Sequence, residues 1–386
     1  MTRRLWLAAV LLAAAAPVHA QTSVTPTPPD FPRGTISGYL FGDWYQNLAG
    51  NPNHTYDASG NDLGAAYIGN NSTPAPIAKD LNGTMLRRAY FQVDNDLSIK
   101  YSTRFRLEAD SKSLTSDGKI GVAVKAAYMK VRNLYPRADL YFGVIATPTF
   151  ENSEDYWAYR SIEKTLVDFR GLAPSADGGV ELKGFVDDKH VVGYSVMVGN
   201  GPGNKPETNR DKRFYFALPV RWKDLRLEPY VDYENIYSHK DKATYKVFAG
   251  YDIPHGAVGY EYVEQVGHAV GLGPAGVYSY AVGHSLFARY SFTPVAAAFA
   301  RVDLWTPNNN ATTAATRVKQ QMYIVGFDYQ PMKDVHFMPN LESMQYKAMD
   351  ASTRGGVTVA PRGVEPPFGD LQARMTLYWK FAGPKS

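Results

Sequence analysis

The chain has no cysteine. That excludes disulfides and thiolate metal sites, and with no Cys after the early apolar run it excludes a lipid-anchored lipoprotein. Long hydrophobic runs are missing as well. Leu5 to Ala16 is too short to cross a bilayer, and nothing after it could form a membrane helix. No charge sign dominates: 41 Lys and Arg stand against 37 Asp and Glu, a formal net charge of +4. This balance gives no reason to expect nucleic acid or a strongly acidic partner. The 8 His are scattered, without a His-Glu-x-x-His or a pair at ligand spacing, and no nucleophile motif occurs. No metal, cofactor or enzyme activity is therefore expected. The segment Asp57 to Asp62 lacks the spacing and closing Glu of a Ca²⁺ loop. The Gly-rich stretch Gly199 to Gly203 has no helix after it and is not read as a phosphate cradle.

What is present begins with a secretory signal over residues 1–20: Arg3 and Arg4, the apolar Leu5 to Ala16, then the small residues Val18 and Ala20. A Pro-rich lead-in occupies 21–33, and 34–386 reads as one domain. Tyr leads the aromatics, with 27 Tyr, 18 Phe and 6 Trp. Its amphipathic ring suits a membrane interface and a pore wall.

The strongest pattern is strict alternation. In the last segment Leu371, Ala373, Met375, Leu377, Trp379 and Phe381 oppose Gln372, Arg374, Thr376, Tyr378 and Lys380. Side chains alternate across a strand, so one face is apolar and the other polar. Similar segments lie near 34–46, 84–95, 98–110, 119–132, 138–146, 176–186, 189–200, 211–222, 224–236, 244–253, 257–266, 279–292, 295–305, 318–330, 334–346 and 370–381. Their number is even, as a bacterial single-chain barrel requires, and each can span a membrane when tilted. The connections alternate in length. Short turns rich in Pro, Asn, Asp and Gly follow even-numbered strands, whereas most connections after odd-numbered ones are long: 47–83, 111–118, 147–175, 201–210, 237–243, 267–278, 306–317 and 347–369. A sandwich has no reason to sort loops by parity. A closed antiparallel transmembrane β-barrel of about 16 strands does, with long extracellular loops and short periplasmic turns. Some features fit this map poorly: Pro219, Pro229 and Pro339 fall inside strands, His284 falls on the lipid face, and 34–46 is apolar on both faces.

The loop 147–175 is aromatic and charged, with a short helix expected over Ser161–Phe169 and Ser161 as its N-cap. Folding it into the barrel would bury Tyr156, Trp157 and Phe169 against the wall and place Arg160, Glu163, Lys164 and Arg170 at a constriction. The wall strands direct Arg88, Arg104, Arg106, Lys125, Arg226, Arg289, Arg301, Arg374 and Lys380 inward, interleaved with Glu108, Glu228, Asp232 and Asp303. Inward cations lower the barrier for anions, whereas pairing with acids would cancel that selectivity.

Leu86-Arg-Arg-Ala-Tyr-Phe91, Phe105-Arg-Leu-Glu-Ala-Asp110, Ala127-Tyr128, Gly143, Pro148 and the run from Tyr156 to Lys164 resemble the phosphate-selective porin O and P family, as do Tyr194 to Gly201 and Leu227 to Tyr233. The resemblance covers most of 84–235. It implies a 16-stranded outer-membrane channel, commonly a homotrimer, whose phosphate-selective members use dense Arg and Lys arrays in the lumen. In this chain acids interrupt that array. The expected partners are outer-membrane lipid and small hydrophilic or anionic solutes, phosphate-like ones among them. The alternative is a barrel plugged by the loop 147–175 and serving as an adhesin or structural surface protein.

Overall fold

The computed structural model describes residues 31–50, 79–236, 241–268, 279–307, 319–347, 352–354, 357–359 and 369–383. The signal and most of the Pro-rich lead-in lie outside these residues, as does the segment Asp57 to Asp62.

The alternating segments become strands, each hydrogen-bonded to its chain neighbours. They are β1 (Arg33–Ala49), β2 (Asn82–Asp96), β3 (Tyr101–Leu114), β4 (Ile120–Tyr135), β5 (Ala138–Ala146), β6 (Ala176–Phe185), β7 (Gly193–Gly199), β8 (Lys212–Ala217), β9 (Val220–Trp222), β10 (Leu225–Asn235), β11 (Lys242–Ile253), β12 (Gly256–Gly267), β13 (Ser279–Thr293), β14 (Ala296–Thr306), β15 (Lys319–Met332) and β16 (Val335–Lys347). A small hairpin, β17 (Ser352–Arg354) with β18 (Val357–Val359), precedes β19 (Asp370–Ala382). β8 and β9 both pair with β10 and act as one strand interrupted at Leu218–Pro219, so the barrel has 16 strands. It closes where β1 pairs with β2 on one side and with β19 on the other (Tyr39↔Lys380, Tyr45↔Arg374). Closure leaves no sheet edge to aggregate. One rim carries the tight turns 136–137, 223–224, 254–255, 294–295 and 333–334, where Arg137, Lys223, His255 and Asp334 adopt positive φ. The other rim carries the long connections.

The molecule has an apolar exterior and a polar interior. Phe142, Trp222, Leu286, Phe292, Val325 and Phe327 are each more than half exposed on the outside. Arg213, Asp232, Thr244, Lys246, Asp303 and Thr376, at 2% exposure or less, face inward. Such an outer surface belongs in lipid, and a closed barrel is the sheet arrangement that satisfies its backbone there.

Departures from simple alternation have local causes. Between β1 and β2 the register jumps from Phe41↔Arg88 to Gly42↔Leu86, leaving Arg87 as the extra residue of a bulge. Both Arg87 and Arg88 then turn inward and are buried. Without the bulge, Arg87 would face lipid at a cost of about 2–4 kcal/mol near the midplane. A second bulge, Arg106↔Ala126 followed by Leu107↔Val124, brings Lys125 inside in the same way. Pro219 breaks the ladder between β8 and β9. Pro229 lies opposite that break, its carbonyl accepting from Leu218 N–H at 3.1 Å, so the N–H it lacks points into a gap that Pro219 has already opened. Pro339, by contrast, sits in continuous β16, opposite Met375. The two apolar faces of β1 are explained by Tyr39 and Phe41, which point inward and meet Tyr90 and Tyr378 in an aromatic cluster. His284 lies on the outer face, bonded to the Tyr260 hydroxyl at 2.8 Å. The strand expected over 189–200 starts only at Gly193, because the Asp187 carboxylate captures the N–H groups of Lys189, Val191 and Val192.

Candidate functional site

The connection between β5 and β6 folds inside the barrel. It forms α1 (Glu151–Trp157) and α2 (Leu166–Phe169). Asn152, Ser153, Tyr156 and Trp157 make the buried face of α1, leaving Glu151, Glu154 and Asp155 on the other. Trp157 is fully buried between Tyr159, Phe287 and Phe299, with ring centroids 5.1–6.1 Å away. The wall is shaped to receive the loop. Gly250 and Gly283 face inward, and a Cβ there would lie 2.6 Å from the Tyr156 ring and 2.8 Å from Leu166 respectively. Neither position could carry a side chain without displacing the loop.

The helix expected over Ser161–Phe169 is corrected: residues 158–165 are not helical, and α2 starts only at Leu166. Ala158 ends α1 with φ 64. The carbonyls that a helix would use are taken by side chains, mostly from the wall. Arg87 donates to Ser161 O (3.1 Å) and Ile162 O (2.5 Å), and Arg374 also donates to Ile162 O. Trp157 Nε1 donates to Glu163 O (3.0 Å), and Arg301 to Lys164 O (2.5 Å). Lys246 to Thr149 O and Arg213 to Leu172 O (2.9 Å) clamp the two ends. Charge-assisted bonds of this kind are about twice as strong as neutral ones. Buried acids balance the clamps: Asp43 and Glu163 beside Arg87, Asp303 beside Arg301, Glu342 beside Arg374, Asp232 beside Arg213 and Glu228 beside Lys246.

The loop thus covers the β10–β19 side of the lumen and leaves space chiefly along β1–β6, with Arg221 of β9 and Glu228 of β10 at its margin. A cavity of ≈540 Å³ lies there, lined by Arg104, Arg106, Lys125, Arg160, Lys183 and Arg221 against Glu151, Glu154, Asp155, Asp168 and Glu228. Six cations face five carboxylates, so net charge is small, but most of the acids are on the loop and most of the cations on the wall. A second cavity of ≈340 Å³ adjoins it toward the tight-turn rim and shares Arg104, Arg106, Ala126, Ala146, Glu151 and Lys183 with the first.

The structure separates the residues singled out from sequence into three that line the cavities, three (Lys164, Arg88 and Arg226) that are ion-paired and line neither, and four buried between loop and wall. Arg160, Arg104 and Arg106 line the cavity. Arg160 meets Glu154 and Asp168 at 3.2 Å each, and Lys164 meets Asp168 at 3.3 Å. Arg104 pairs with Asp94 at 2.6 Å, and Arg106 bonds Gln92 Oε1 at 2.6 Å. Arg88 is buried with Glu108 and Asp110, and Arg226 pairs with Asp252 at 3.2 Å nearer the tight turns. Glu163, Arg170, Arg301 and Arg374 are buried between loop and wall and line neither cavity. Arg170 bonds Gln320 and lies over the Phe169 and Trp305 rings. Sequence reasoning missed Arg87, Arg213, Lys183 and Lys246. Alternation gives the last three an inward face, whereas only the bulge reveals Arg87.

The loop's own carboxylates differ in character. Burial raises the Asp168 carboxyl, but Lys164 and Arg160, with Lys125 and Arg88, outweigh it and hold the group far below the usual range. Glu163 is likewise lowered: Arg87 and Arg374 overcome its burial. Glu154 goes the other way, raised chiefly by burial, with Asp168 adding to the rise and Arg160 only partly opposing it. Among the described residues no group of three or more His, Asp or Glu side chains could hold a metal ion.

No family model and no curated protein matches the chain. Solved structures do. The outer-membrane channel DcaP of Acinetobacter baumannii superposes with a TM-score of 0.61 at 11% identity, over 90% of this chain and 97% of that one. An anion-selective porin from Comamonas acidovorans gives 0.59 at 11%, over 91% and 100%. OmpT of Vibrio cholerae, folded in vitro and in its trimer form, gives 0.58 at 11%, over 90% and 99%. The fold is that of the outer-membrane porins.

Proposed function

We propose that the protein is an outer-membrane porin, a passive channel through which small hydrophilic solutes and anions diffuse without a chemical step. The observation that carries this reading is the loop 147–175. It is clamped to one side of the lumen and leaves open cavities on the other, with loop acids opposite wall cations. Arg104, Arg106 and Lys125 form the basic side of the constriction, and Glu154, Asp155 and Asp168 the acidic side, from which Arg160, paired with Glu154 and Asp168, adds a loop cation. Export by a cleaved signal over residues 1–20 belongs to the same reading. So does assembly as a homotrimer, for which the trimeric OmpT form is the precedent.

The slight excess of cations supports passage of small anions. The resemblance of Leu86 to Phe91 and of Tyr156 to Lys164 to the phosphate-selective porins extends this to phosphate-like solutes. Phosphate would meet Arg106, Arg160 and Lys125, since Arg301 and Arg374 serve the loop. The plugged surface barrel is the competing reading, and conductance decides between them. Purified protein in planar bilayers is expected to give stepwise currents. In a salt gradient, Arg160→Ala is expected to shift the reversal potential toward cations. A tight seal with folded protein would reject the channel, and an unchanged potential would remove Arg160 from the selectivity determinants.

A further inference from the structure

The wall beside the open cavities carries aromatic rings interleaved with cations. Tyr39 and Tyr90 sit with ring centroids 4.5 Å apart, and the Arg106 guanidinium lies 5.3 Å from the Tyr90 ring. Toward the tight turns Tyr128 and Tyr141 meet at 5.6 Å, with Arg104 5.9 Å from the first ring and Lys130 5.1 Å from the second. Tyr39 lines the larger cavity, Tyr128 and Tyr141 the adjoining one, and Arg104 and Arg106 line both. Tyr90 is buried, whereas Tyr39, Tyr128 and Tyr141 are half-buried and keep ring surface toward the space.

The cations of this strip are not equivalent. Arg104 is bonded twice to Asp94, and Lys130 pairs with Asp139 at 2.7 Å. Among the described residues Arg106 has no carboxylate within salt-bridge distance, and its Nε–H is the donor used, to Gln92. Its terminal nitrogens remain available to a passing acid at the junction of the two cavities.

We infer that the passage favours planar aromatic carboxylates, whose carboxylate would bond Arg106 while the ring slides along Tyr39, Tyr128 and Tyr141. The inference rests on the channel reading and names its solute class. A carboxylate alone would need only the arginine, and a neutral ring only the tyrosines. An aromatic acid uses both, because an aromatic ring stacks on tyrosine faces that a saturated ring of similar size meets only by ordinary contact.

The test is single-channel current with benzoate, cyclohexanecarboxylate or benzamide added in turn. Benzoate should interrupt the chloride current at a concentration about 2- to 10-fold lower than cyclohexanecarboxylate does, the range one aromatic pair supplies. Benzamide should do so less than either acid. A Tyr39→Leu, Tyr128→Leu double variant should remove the benzoate advantage. Arg106→Gln should weaken both acids about equally and leave benzamide unchanged. Heat-modifiable migration on unboiled gels confirms that each variant is a folded barrel. If the two acids act equally on the parent channel, or if the advantage survives in the folded double variant, the solute assignment is overturned while the channel stands. If the parent protein carries no current at all, the channel reading falls, and this inference with it.

Discussion

Arg87 has neighbours at two levels: the carbonyls of Ser161 and Ile162, and the carboxylates of Asp43 and Glu163. Removing it leaves two acids buried without their main cation and frees the loop at its middle. Losing one partner of a buried pair typically costs about 3–5 kcal/mol. Arg87→Leu is therefore expected to lower the temperature at which the folded band converts on unboiled gels and to make the single-channel current larger and noisier. Unchanged melting and current would show that the clamp is redundant. Glu154 supplies a pH prediction. Its carboxyl is raised and so protonates before an ordinary glutamate as pH falls, while Asp168, held low, stays charged. Asp155 is also raised, by burial and then by Glu151, so as pH falls the constriction loses negative charge first at these two groups and keeps that of Asp168. Anion preference should then rise as pH is lowered, and Glu154→Gln should show part of the acid-side preference already at neutral pH. A reversal potential with the same pH dependence in parent and variant would refute the assignment.

At the level of elements, the seat of the loop is a fit between α1 and bare wall positions. Gly250→Val places methyl groups where the Tyr156 ring sits. The variant should keep its barrel, since a strand accommodates Val well, yet lose the ordered constriction, which larger conductance and faster proteolysis between Thr147 and Ser175 would report. Identical conductance and cleavage would mean the loop is held by its clamps alone. Much of this level was readable from sequence, because lipid enforces the alternation of Phe214, Phe216 and Tyr233 against Arg213, Tyr215 and Asp232. Loop parity was readable for the same reason. The inward turn of Lys125 was readable, but the bulge that produces it was not, nor was the one at Arg87: one extra residue shifts the face of everything beyond it and has no compositional signature. Nor was the division of the inward cations. Period two tells which face Arg301 and Arg374 take, but not that a loop distant in sequence comes down on top of them.

For the whole molecule, stability depends on the ring being complete. β1 is hydrogen-bonded to β2 and β19, partners from near and far in the chain. Truncation after Gly369 would expose an unpaired edge on β1 and another on β16. The product is expected to give no heat-modifiable, protease-resistant band, whereas a truncated chain that still shows one would mean the remaining strands close by themselves. The clamp described above has a consequence for how such a chain can change over generations. The wall grips mainly the loop's carbonyls, a feature every amino acid brings. Side chains such as Glu154, Asp155 and Arg160 can therefore be exchanged without unfastening the segment that bears them. Solute preference becomes a trait that can drift on a fixed chassis, and a lineage could acquire a new diet by a few substitutions in one short stretch.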